Sequence, residues 1–68
     1  MKMIDWLDHM KLSQREFAPR LGVQESYFSL LCTGKRYPTL KRAILAERLT
    51  NGMVRATQDW IPEELLKP

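Results

Sequence analysis

Cysteine is almost missing from this chain. Cys32 is the one thiol in 68 residues, which rules out an internal disulfide, and with His9 alone it cannot complete a zinc site. No structural metal and no cofactor is expected. Long apolar runs are missing too: the longest, Ala43 to Ala46, falls far short of the roughly 20 residues that cross a bilayer. Asp5 and Asp8 interrupt the stretch where a signal peptide would place its apolar core. A cytoplasmic protein with no membrane partner is expected. There is no paired acid/base constellation, no phosphate-cradling glycine loop and no metal set, so an enzyme or a small-molecule binder is not expected. An RNP-type aromatic strand and a GXXG loop are both lacking, which argues against RNA. No repeat, low-complexity tract or glycine/serine linker divides the chain. It is read as one domain over 1–62 with a tail over 63–68.

What is present is globular in balance, 44% hydrophobic and 28% charged, near the lower size limit for a single unstapled core. The net charge of +3 is unevenly spread. Seven basic residues (Lys11, Arg15, Arg20, Lys35, Arg36, Lys41, Arg42) face two acids (Glu16, Glu25) between Lys11 and Arg42, a balance of +5, while the two ends together hold −2. A polyanion-binding surface requires such a concentration, and a solvated charge mixture on a small basic protein also produces it.

No run of alternating apolar and polar residues argues for a sheet, and the punctuation marks out helices. The first spans Met3 to Met10, with Met3, Leu7 and Met10 forming an apolar stripe beside Ile4 and Trp6. Trp6 reads as a core anchor before it reads as a stacking platform. The second opens on Ser13 and Glu16, the two halves of a capping box. It turns Phe17, Ala18 and Leu21 inward, is bent or shortened by Pro19, and ends at Gly22. The third covers Glu25 to Cys32, with Phe28 and Leu31 inward, and Gly34 closes it. Lys35-Arg36-Tyr37-Pro38 follows as a basic loop in which Tyr37 either packs beneath or meets a phosphate. The fourth helix begins after the cap Thr39 and runs from Leu40 to about Thr50. Leu40, Ala43, Ile44, Ala46 and Leu49 are assigned to packing, with Leu45 at the flank. Asn51-Gly52 stops it, Met53 and Val54 return over the core, and a short turn capped by Thr57 reaches Trp60.

Taken with Gln14 as first position, the stretch SQREFAPRLGVQESYFSLLCTG meets every diagnostic position of a twenty-residue helix-turn-helix. Ala18 stands fifth, where two helices cross closely, and Gly22 stands ninth, where the turn needs positive φ. Phe17, Leu21, Val23, Phe28 and Leu31 take the fourth, eighth, tenth, fifteenth and eighteenth positions, all core positions of the motif. The segments Leu12-Ser13-Gln14, Glu16-Phe17-Ala18, Leu21-Gly22-Val23 and Gly34-Lys35 before Pro38 resemble the Cro/CI repressor-type regulators of lambdoid phages and prophages. So does Thr50-Asn51-Gly52-Met53-Val54. The resemblance covers roughly residues 3 to 60.

It implies an all-α, five-helix, lambda-repressor-like domain that binds double-stranded operator DNA as a homodimer, in the cytoplasm of a bacterial host and at its nucleoid. By position it implies Gln14 at a phosphate, and Gln24, Glu25, Ser26 and Ser29 at base edges, with Tyr27 and Leu30 at the margin. Lys35 and Arg36 would clamp the backbone, with Arg15 and Lys41 as further phosphate contacts.

Two positions depart from the pattern. Glu25 stands where Gln is frequent: it can accept from cytosine N4 or serve as a first-turn acid on the helix dipole. Leu30 stands where Arg or Lys is common, and both a thymine methyl and a protein partner suit it. An antitoxin or protein-interaction module on the same fold is the alternative function, using Trp60, Ile61, Leu65 and Leu66. Those residues equally suit a dimer contact, or closure of the core by Trp60. His9 reads as a surface residue, Cys32 as a small packed one and Ser13 as a cap.

Overall fold

Local chemistry fixes where each helix starts and stops, as the computed structural model, which describes residues 1–65, makes visible. Helix α1 spans Met3–Met10, α2 Gln14–Leu21, α3 Glu25–Cys32 and α4 Leu40–Leu49; a π-helical turn over Ala56–Trp60 and a 3-10 turn over Glu63–Leu65 follow. Among the described residues there is no strand, and no helix is long and apolar enough to cross a membrane. Of the segment read as a tail, the part over 66–68, Leu66 included, lies outside the described residues.

The start of α2 is the capping box read from the sequence. The Glu16 amide donates to Ser13 Oγ at 3.1 Å, and the Ser13 amide donates to Glu16 Oε1 at 3.4 Å. Such a cap stabilises a helix by about 1 kcal/mol. Pro19 lies inside α2, which is eight residues long. Its C-terminus closes at Gly22, whose φ of 77° is the left-handed cap that a side chain would resist. The Val23 amide reaches back to the Ala18 carbonyl at 3.1 Å, so the chain leaves α2 already turned toward α3.

Three aromatic rings bind the first three helices. Trp6 of α1 meets Phe17 of α2 edge-on at 5.4 Å between ring centres, and Phe17 meets Phe28 of α3 at 5.5 Å. Offset pairs of this kind add about 0.5–1.5 kcal/mol beyond the area they bury. Leu21, Leu31 and Val54 complete the deepest layer. Trp60 and Ile61 close it: both are buried, and Trp60 Nε1 donates to the Leu31 carbonyl at 3.2 Å. Trp60 therefore closes the core, and neither it nor Ile61 is available as the apolar docking surface considered from the sequence. Leu65 is exposed.

The largest departure from expectation is α4. Its inward side is made of Ala43, Ala46 and, just past its end, Thr50, all at most 1% exposed. Leu40, Ile44, Leu45 and Leu49, of which three were assigned to packing and Leu45 to its flank, are 46, 42, 38 and 38% exposed. The reason is steric. At 100° per residue, positions 43, 46 and 50 share one side, and small residues there let α4 approach its neighbours closely, which turns the large aliphatics outward. Thr50 is satisfied where it lies, donating to the Glu47 carbonyl and accepting from the Val54 amide. Glu47 accepts the Ala56 amide at 2.8 Å, fastening the C-terminal turn to α4.

Smaller corrections follow the same logic. Ile4 and Met10 of the expected α1 stripe are exposed, because Met3, Trp6 and Leu7 alone face inward. Met53 is exposed while Val54 beside it is fully buried. The C-terminal turn is preceded by Arg55, not capped by Thr57. Asp59 Oδ2 accepts the Arg55 amide at 2.8 Å and the Met1 amino group at 2.7 Å. Burial works against charge on Asp59, but these hydrogen bonds and the positive charges of Met1 and Arg55 outweigh it and hold the carboxyl below its ordinary pKa.

Candidate nucleic-acid interface

The outward side of α3 follows from which of its residues the core has taken. Phe28 and Leu31 are buried, which leaves Ser26, Ser29 and Leu30 on the opposite side at helical spacing, with Glu25 at its edge. Gln24, Glu25 and Ser26 are exposed, Ser29 and Leu30 are half-buried, and Tyr27 packs its ring against the core from the flank. The cap residue Gln24 makes no side-chain bond to the first turn. The first amides of α3 are therefore left to an external acceptor, at the end where the helix dipole is positive. Glu25 sits in that same first turn.

Positive charge stands on both sides of this helix in sequence. At the start of α2, Gln14 is half-buried and Arg15 exposed. Past α3 the chain folds back on itself. The amides of Lys35 and Arg36 both donate to the Leu30 carbonyl, at 3.1 and 3.2 Å. The Thr33 hydroxyl donates to the Ser29 carbonyl at 3.0 Å. Gly34 makes the reversal possible with φ of 79°, and beyond its own chain neighbours no atom lies within 4 Å of where its Cβ would stand. That glycine is needed for conformation alone. Lys35 and Arg36 are thereby held at the C-terminal end of α3 with exposed side chains. Pro38 is the buried anchor of this loop and Tyr37 is exposed, so of the two alternatives open for Tyr37 the packed one is filled by Pro38.

Helix α4 adds a third group of cations. Lys41 is exposed, and with Thr39, Arg42, Ile44, Leu45 and Arg48 it lines a shallow groove of about 500 Å³. No acid lines it. Arg42, which the sequence reading left unassigned among the basic residues, is half-buried and donates from Nη1 to the Leu21 carbonyl at 2.7 Å. Nothing in the sequence distinguishes it from Lys41 next to it; the difference comes from the 100° of helix rotation that brings position 42 round to α2.

No group of three or more metal-ligating side chains occurs among the described residues. The Cys32 thiol is pushed up to about 11 by burial, so it stays protonated at neutral pH and is a poor nucleophile. Comparisons with family models, with curated proteins and with solved structures find no match to this chain.

Proposed function

We propose that this protein is a sequence-specific double-stranded DNA-binding regulator, a Cro-type repressor on a lambda-repressor-like fold that acts as a dimer on a palindromic operator. One observation supports this reading above the others. The outward side of α3 is mostly small and polar, with Gln24, Glu25 and Ser26 exposed at its N-terminal end, while Arg15, Lys35 and Arg36, which precede and follow the helix, are exposed cations. The N-terminal end of α3 would enter the major groove, with Gln24, Glu25, Ser26 and Ser29 at base edges. Gln14, Arg15, Lys35, Arg36 and Lys41 would meet phosphates on either side.

Since α3 has no basic residue, an Arg–guanine fork has no place in this mechanism. Affinity would come from the flanks. Discrimination would come from a few uncharged contacts, Glu25, and the deformability of the operator itself. A single domain of this size offers few base contacts, so two copies on a two-fold site are needed, with half-sites about 34 Å apart.

Selection from a random duplex library tests the reading. A palindromic consensus with half-sites one helical turn apart is the expected result, and no enrichment would sink it. The second reading is a protein-interaction module, such as an antitoxin, favoured by the four exposed aliphatic side chains on α4. Competition by sheared DNA separates the two: a module of that kind shows no preference for the selected duplex.

A further inference from the structure

Helix α3 packs mainly on α2, and α2 in turn packs on α4. The angle at which α3 is presented relative to α4 and its basic loop therefore passes through the turn at Gly22. Arg42 bridges that turn. Its Nη1 donates to the carbonyl of Leu21, the last residue of α2, at 2.7 Å. A carbonyl at that place has no helical partner of its own. The same Nη1 lies 2.7 Å from where a Cβ on Gly22 would stand, with the guanidinium carbon at 3.8 Å. Gly22 thus serves two ends: it takes a φ of 77°, and it leaves room for the guanidinium.

We propose that Arg42 is a positioning residue for α3, its guanidinium tying the α2–α3 turn to α4 so that the outward side of α3 and the Lys35–Arg36 loop meet one surface together. The consequence for recognition rests on the DNA-binding reading; the tie itself does not. A planar guanidinium suits the task. It spends one of its five donors on Leu21, and Arg42 remains half-exposed along the open α4 groove. Lys41, its exposed neighbour, has no such bond and acts through charge alone.

Two measurements decide the matter. The first is a double-mutant cycle read by chemical denaturation, with Gly22→Ala made in the wild type and in Arg42→Ala. Because the added methyl meets the guanidinium only when Arg42 is present, the shift in folding equilibrium is expected to be smaller in the Arg42→Ala background by about threefold or more. Equal shifts would overturn the tie, and this result does not depend on DNA.

The second compares Arg42→Lys, which keeps the charge without the fork, with Arg42→Met, which keeps the stem alone. In both, the ratio of affinity for a selected duplex over its scrambled version is expected to fall by about tenfold, the loss of one charge-assisted hydrogen bond. The salt dependence of Arg42→Lys is expected to stay as in the wild type. Full discrimination in Arg42→Lys, or a flatter salt dependence with unchanged discrimination in Arg42→Met, would make Arg42 a charge contact and overturn the positioning role. If the wild type prefers no duplex, the consequence for recognition falls, and the cycle alone judges the tie.

Discussion

Helices α3 and α4 are built on opposite plans. In α3 the large residues Phe28 and Leu31 face the core and the outward side is mostly small and polar. In α4 the inward residues are Ala43 and Ala46, and the large ones, Leu40, Ile44, Leu45 and Leu49, are turned out. Burial of a Phe or Leu contributes about 1.5–3 kcal/mol, so α3 is held chiefly by what it inserts. Helix α4 is held by how closely it approaches: two alanines permit contact of its backbone with α2 and with the C-terminal turn, Glu47 fastens that turn at the Ala56 amide, and Thr50 holds the segment before it at the Val54 amide. The two outward surfaces differ accordingly. One is mostly polar, and the other is aliphatic with Lys41 and Arg48 beside it.

The contrast can be broken most easily at α3. Phe28→Ala should cost about 3–5 kcal/mol of folding stability, as truncation of a fully buried ring does, measured by denaturant titration. On α4 the order of effects should invert. Ala46→Leu should cost about 1–3 kcal/mol by overpacking, whereas Ile44→Ala, which removes a larger side chain, should change stability by no more than about 0.5 kcal/mol. An Ile44→Ala cost equal to that of Ala46→Leu would show that the outward assignment of α4 is wrong.

The smallest effect expected is at Asp59, which joins Met1 to the C-terminal turn. Its folded-state pKa is lowered, so its contribution is present above the unfolded value of about 3.9 and is lost as pH falls through the lower folded value. Asp59→Asn should therefore lose a little stability at neutral pH, and the loss should shrink toward nothing as pH falls through the lowered folded value and the wild-type carboxyl is itself neutralised. A gap between the two proteins that widens in acid would contradict this.

These two helices also show what could be read from the residues. The bounds of α1 and α3, the capping box of Ser13 and Glu16, and the turn at Gly22 were legible because each depends on neighbours within four positions. The inward side of α3 was legible because Phe28 and Leu31 stand three apart and share one side, opposite the small polar Ser26 and Ser29. Helix α4 defeated the same reasoning: apolar residues surround it almost completely, and only the distance to its neighbours decides which side is inward. Trp60, Arg42 and Pro38 were obscure for a related reason. Their partners, Leu31 for Trp60 and Leu21 for Arg42, lie 29 and 21 residues away, and no local pattern announces such bonds. Within the candidate interface, Lys35 and Arg36 are exposed as the basic loop suggested, but Tyr27 lies against the core and Tyr37 stays outside the buried core.

The central claim is that affinity resides in the cationic flanks and sequence choice in the outward side of α3. Its most direct test is the salt dependence of binding to a selected duplex and to a scrambled one, for the wild type, Lys35→Ala and Ser26→Ala. With about five phosphates met by each of two protomers, the wild-type log–log slope should be of order −9. Lys35→Ala should weaken both duplexes alike and flatten the slope by about 1 per protomer, while Ser26→Ala should change the ratio between duplexes and leave the slope in place. If Lys35→Ala instead altered which sequence binds and left the salt dependence untouched, the division between flank and helix would be wrong.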